Sequence, residues 1–123
     1  MILTVLFMIF FHIVDDFYLQ GWLASAKQKK FWQENAPEKM YRYDYILALI
    51  VHSFSWSFMV MFPILIVSGF EASSYFVGIF LANIIIHAIV DDLKANQRII
   101  NLWVDQLLHI MQILMTALIL IER

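Results

Sequence analysis

Four apolar segments, each about as long as a membrane is thick, constrain the fold of this chain more than any other feature. A helix that spans the hydrocarbon core needs about 20 mainly apolar residues, and such segments lie at about residues 1–19, 43–67, 74–95 and 99–121. Of all residues, 63% are hydrophobic and only 15% are charged, too few polar side chains to cover a small soluble domain. We therefore expect an all-α integral membrane protein, a four-helix bundle with short loops that forms a single domain over residues 1–123.

Net charge and cysteine content exclude several other classes of protein. A formal charge of −2 at pH 7 gives no indication of a nucleic-acid partner. The absence of cysteine removes disulfides, thiolate metal ligands and thiol nucleophiles. The expected partners are therefore membrane lipids, and a homo-oligomer is left open.

The basic residues predict the orientation of the bundle. Lysine and arginine collect on the cytoplasmic side of membrane proteins, and seven of the eight basic residues lie in the loops after the first and third spans. Both termini are therefore expected outside, with the first and third loops in the cytoplasm. Residues 21–42 mix lysines with aromatic residues, which is typical of a segment on the lipid headgroups. A plain basic loop that only sets the topology explains the same residues.

Ionisable side chains inside the spans carry the main functional signal. Three pairs of histidine and aspartate have a spacing of four residues, and residues at that spacing share one face of a helix. All four histidines lie about 12–15 Å from the cytoplasmic ends of their spans, and the aspartates about 6–9 Å. The candidate metal ligands are His12, Asp16, His52, His87, Asp91, Asp105 and His109.

A divalent metal is the partner that these side chains favour. Charges inside a membrane are costly, so the carboxylates are expected to face the interior of the bundle. Imidazoles and carboxylates without sulfur suit zinc, and also manganese or iron. Seven candidate ligands exceed the four of one tetrahedral zinc, which predicts two ions, or one ion with further residues around its ligands. The alternative without metal is a polar core that specifies helix pairing.

Other polar residues near the cytoplasmic ends of the spans receive separate predictions. Asp15 lies one residue off the polar face and is expected at the membrane interface. Lys94 is expected to reach the headgroups, to pair with Asp91 or to bind an anionic headgroup. Gln20 and Gln106 are candidates for orienting the ligands.

Taken together, the motifs resemble those of a known family. Residues 12–20 read HxxxDFxLQ, residues 87–94 read HxxxDxxK and residues 105–109 read DQxxH. With these motifs and His52, almost the whole chain resembles the small prokaryotic and phage membrane proteins grouped as domain of unknown function family 3307. The layout is also similar to inner-membrane proteins described as metal-dependent hydrolases. These resemblances imply a bacterial inner membrane and an intramembrane His/Asp site.

Three functional hypotheses follow. The first is a divalent-metal-dependent hydrolase of a lipid or lipid-linked ester or phosphoester near the cytoplasmic leaflet, with Asp105 as general base and Lys94 attracting the headgroup. The second is transport of a metal ion or a proton through the same site, although the outer halves of the spans read as apolar. The third is a redox module with haem held by two histidines, to which the carboxylates contribute nothing.

Overall fold

The computed structural model describes residues 1–122, and every regular element in that range is helical. In chain order the elements are α1 (Ile2–Ile13), a π-helical segment (Val14–Leu19), α2 (Leu23–Ala26), α3 (Lys29–Asn35), a 3-10 turn (Lys39–Tyr41), α4 (Asp44–Val67), α5 (Ser74–Ala95) and α6 (Leu102–Ile121). The predicted all-α fold is confirmed. Four stretches are long and apolar enough to cross a membrane, namely Ile2–Leu19, Lys39–Val67, Ser74–Ala95 and Leu102–Ile121.

Local signals set the ends of the long helices. The side chains of Ser73 and Asn101 accept hydrogen bonds from the backbone N–H groups of Phe76 and Val104, which caps the N-termini of α5 and α6. After α4, Gly69 adopts a φ of 68°, a conformation that glycine takes without strain. The resulting tight turn makes α4 and α5 antiparallel neighbours.

Three of the four long helices, α1, α5 and α6, pack around the fourth, α4. Their outward faces expose many large apolar side chains, as expected for helices that contact lipid rather than water. The apolar core lies between the helices and consists of Met8, Trp56, Val60, Met61, Ile64, Phe76, Ile113 and Ala117. We call the end of the bundle that carries α2, α3 and residues 96–101 the basic end, and the opposite end the apolar end.

Hydrogen bonds hold the segment formed by α2 and α3 against the basic end of the bundle. Trp32 Nε1 donates a hydrogen bond of 2.7 Å to the carbonyl oxygen of Ala26. Asn96, which follows α5, accepts a hydrogen bond of 2.7 Å from the N–H of Lys29 and donates one of 3.0 Å to the carbonyl oxygen of Lys27. These bonds fix the segment in a position from which Lys27 enters the bundle.

Candidate metal centre

The π-helical segment turns two consecutive aspartates toward the interior. A π-helix has more residues per turn than an α-helix, so neighbouring side chains diverge less in direction. Asp15 is 1% exposed and accepts a hydrogen bond of 2.6 Å from Ser55 Oγ. The prediction that Asp15 lies at the interface is therefore wrong, because it assumed regular α-helical spacing.

Two overlapping groups of buried side chains have the arrangement of metal ligands. The first group is Asp16, His52 and His87, and the second is His87, Asp91 and His109. Within each group, one ligand atom per residue lies within 4.8 Å of the others. These five residues come from the π-helical segment, α4, α5 and α6, so packing of the bundle brings them together.

Several distances within the two groups are close to those between the ligands of one metal ion, and the others reach 3.7–3.9 Å. Ligands of tetrahedral zinc lie about 2.0–2.1 Å from the metal, which places neighbouring ligand atoms about 3.3 Å apart. His52 Nε2 lies 3.2 Å from both His87 Nε2 and Asp16 Oδ1. His109 Nε2 lies 3.3 Å from Asp91 Oδ1. The buried His and Asp groups could therefore hold a metal ion.

Some of these ligand atoms lack a hydrogen bond. Asp16 Oδ1 and His109 Nε2 are buried, and neither makes a well-aligned hydrogen bond within residues 1–122, although each lies 3.2–3.3 Å from another polar atom of the cluster. An unsatisfied buried polar atom costs about 1–3 kcal/mol. A cation between them would satisfy both atoms, so the donor set fits a metal.

Ring stacking orients two of the histidines. The indole of Trp56 stacks on the imidazole of His87 at a centroid distance of 4.2 Å, and the imidazole of His109 stacks on His87 at the same distance of 4.2 Å. Among the described residues, Nδ1 of His87 and Nδ1 of His109 have no hydrogen-bond partner. Aromatic packing, rather than a hydrogen bond at Nδ1, therefore holds these rings.

His12, one of the predicted ligands, lies beside the two groups rather than in them. Its Nδ1 accepts a hydrogen bond of 2.8 Å from Trp56 Nε1, and its Nε2 lies 2.9 Å from Gln106 Oε1. Because the tryptophan N–H can only donate, Nδ1 carries no proton, and Nε2–H donates to the amide oxygen. Both ring nitrogens of His12 are occupied, so we do not assign it as a ligand.

Asp105 and Lys94 form the edge of the cluster toward the basic end. Asp105 Oδ1 lies 3.3 Å from His109 Nε2. Its Oδ2 accepts hydrogen bonds of 3.0 Å from Lys94 Nζ and from Gln106 Nε2. Lys94 therefore pairs with Asp105 and not with Asp91, and Gln106 contacts the cluster as predicted. Gln20 instead donates to the backbone oxygen of its own helix at Asp16.

Lys27 is the residue of the cluster that the sequence did not single out. Its Nζ donates a hydrogen bond of 2.6 Å to Asp91 Oδ2, and the residue is only 5% exposed. Sequence reasoning treated Lys27 as one of several loop lysines, because a loop gives no periodic signal. The spans contain more aspartates than basic residues, and this excess was the one sequence signal that a lysine from a loop pairs with a buried carboxylate.

The cluster contains more carboxylates than ammonium groups. Buried carboxylates exceed the ammonium groups that pair with them by two, if the histidines are neutral. One divalent cation would balance this difference, and uncompensated buried charge is very costly. The carboxylates are those of Asp15, Asp16, Asp91 and Asp105, and the ammonium groups are those of Lys27 and Lys94.

A second polar group lies farther toward the apolar end. Asn83 Oδ1 accepts hydrogen bonds of 2.7 Å from Gln112 Nε2 and 3.2 Å from Thr116 Oγ1. All three side chains are buried between α5 and α6. The interior of the half of the bundle toward the apolar end is therefore less apolar than the sequence indicated.

Comparisons with protein-family models, with curated proteins and with solved structures find no match to this chain. The resemblance to domain of unknown function family 3307 therefore stays a prediction. The geometry of the cluster is therefore the observation that bears on function.

Proposed function

We propose that this chain is a membrane-embedded, divalent-metal-dependent hydrolase that acts on an ester or phosphoester of a lipid or lipid-linked substrate. In this proposal α1, α4, α5 and α6 span the membrane, and the basic end lies at the cytoplasmic leaflet, in keeping with the distribution of lysine and arginine. One observation carries the proposal: buried His and Asp atoms lie at the spacing of metal ligands, and the four carboxylates of the cluster outnumber the two lysines that pair with them.

The proposed ligands come from the five residues of the two overlapping groups, and zinc is the preferred ion because the donors are imidazoles and carboxylates without sulfur. Three of these residues would hold the ion and leave one position open for water or substrate, as a catalytic zinc requires. His87 belongs to both groups but offers a single lone pair at Nε2. The geometry and the charge difference therefore favour one ion over two. When bound, the ion would supply a Lewis acid that polarises the scissile group and makes water more acidic.

Asp105 is the proposed general base. Its Oδ1 is buried and makes no hydrogen bond within the described residues, so it is available to take a proton from the attacking water. Lys94 and Gln106 hold Oδ2 and thereby orient the carboxylate. The side chain of Lys94 is 30% exposed, so a headgroup would meet the site at this edge.

Turnover in a lipid bilayer tests the proposal. The purified protein is placed in lipid nanodiscs with fluorogenic ester and phosphodiester lipids, and we expect hydrolysis that a chelator abolishes and added zinc restores. Asp105→Asn is expected to lower turnover about 100-fold with unchanged metal content. Asp44→Asn, at the start of α4 and outside the cluster, is the control and should leave turnover unchanged. A metal-loaded protein inert toward both substrate classes would contradict the hydrolase proposal.

Transport of a metal ion is the second candidate, and the Asn83 group favours it. This group extends the polar interior from the level of the histidines toward the apolar end. The buried apolar side chains of Met8, Val60 and Ile113 oppose transport, because they fill the bundle at that level. Metal flux into proteoliposomes that His87→Ala abolishes would favour transport over hydrolysis.

A further inference from the structure

A cavity at the basic end lies apart from the His/Asp cluster and shares no residue with it. Its volume is about 440 Å³, within the range of about 300–1,000 Å³ that is usual for small-molecule sites. The wall is formed by α3, the 3-10 turn and the start of α4. Three basic and three aromatic residues dominate it: Lys29, Lys39, Arg42, Trp32, Tyr43 and Tyr45.

The three basic residues of this cavity have no carboxylate partner. Within residues 1–122, Lys29, Lys39 and Arg42 form no ion pair. Elsewhere in the chain Lys27, Lys30 and Lys94 each contact a carboxylate. Glu38 also lines the cavity, so the lining carries a net charge of two positive units. The side chains that line the cavity therefore carry positive charge that no ion pair within residues 1–122 neutralises.

Aromatic rings hold two of these cations against the wall. Lys29 Nζ lies 5.1 Å from the centroid of the Tyr45 ring, and Arg42 Cζ lies 5.5 Å from that of the Tyr43 ring. Such contacts are within the range of cation–π attraction. These contacts hold the two side chains in fixed positions and leave the N–H donors of Lys29 and Arg42 available for an anion.

We propose that this cavity binds a phosphate group. Arginine and lysine together suit phosphate, because a guanidinium offers paired N–H donors and an ammonium a compact charge. Tyrosine and tryptophan beside them are the residues found at headgroup level in membrane proteins. The phosphate comes either from a phospholipid headgroup or from solution, and the site is independent of the proposed metal centre.

Binding by the whole protein in nonionic detergent tests the proposal. The probes are dioleoyl-phosphatidylglycerol, dioleoylglycerol as the same lipid without phosphate, and inorganic phosphate, with occupancy read by native mass spectrometry. We expect the phospholipid or inorganic phosphate to bind and dioleoylglycerol not to bind. Binding of the phospholipid alone assigns the headgroup as source, and binding of inorganic phosphate assigns the free ion.

Two double variants separate a specific site from general attraction. Lys39→Ala/Arg42→Ala is expected to weaken binding about tenfold or more. Lys30→Ala/Arg98→Ala removes the same charge from the basic end outside the cavity and should leave binding within about twofold. Equal losses in both variants, binding of dioleoylglycerol as tight as that of the phospholipid, or no binding of either phosphate probe would overturn the proposal. An unchanged helical circular-dichroism spectrum and an unchanged elution volume in Lys39→Ala/Arg42→Ala check that the variant folds.

Discussion

Replacement of Lys27 by methionine tests whether the loop lysine is a buried member of the cluster. The Lys27 Nζ to Asp91 Oδ2 distance is 2.6 Å, and the two side chains are only 7% and 2% exposed. Removing one partner of a buried ion pair leaves the other charge uncompensated and costs about 3–5 kcal/mol. We therefore expect Lys27→Met to lower the free energy of unfolding by about that amount.

Lys30→Met is the matched control for this experiment. Lys30 lies on the same segment and pairs with Glu34, but at 3.6 Å and with both side chains 61% exposed. Such a surface pair contributes about 0–1 kcal/mol. Both variants are unfolded by denaturant in mixed micelles, with a chelator present so that metal binding does not contribute. Lys27→Met/Asp91→Asn should be less destabilised than Lys27→Met, because the carboxylate that Lys27 neutralised is removed together with it. A loss for Lys27→Met as small as that for Lys30→Met would refute the reasoning.

Three further substitutions give expected outcomes under the same unfolding assay. Ser55→Ala should destabilise the protein by about 1–3 kcal/mol, because it removes the 2.6 Å hydrogen bond to buried Asp15; no effect would place that carboxylate at the interface after all. Trp56→Phe keeps an aromatic ring but leaves Nδ1 of His12 without its donor, for a similar cost of about 1–3 kcal/mol. Thr116→Val removes a hydrogen bond to the Asn83 group, so we expect a loss of about 0.5–1.5 kcal/mol with an unchanged metal content.

Much of the fold and part of the site could be predicted from the sequence. Apolar runs of about 20 residues leave few structures other than long helices. The spacing of His87 and Asp91 predicted a shared inward face, and both residues belong to one of the two ligand groups. Helical periodicity was sufficient here because α5 and α6 are regular helices.

Three features of the site escaped sequence reasoning for physical reasons. Asp15 faces inward because the π-helical segment departs from the α-helical spacing that pattern analysis assumes. Lys27 reaches Asp91 only through the position of α2, which is fixed by tertiary hydrogen bonds. The role of His12 depends on Trp56, a residue distant in sequence that reads as ordinary core.

The metal content of the purified protein shows whether the buried histidines and aspartates bind an ion. Elemental analysis is made on the wild type, on His87→Ala and on His12→Ala, after purification in detergent and exposure to zinc. The account predicts about one divalent ion per chain in the wild type and in His12→Ala. It predicts none in His87→Ala, because His87 is the ligand common to both groups. A wild-type protein that holds no ion, or a His87→Ala variant that keeps it, would contradict the account.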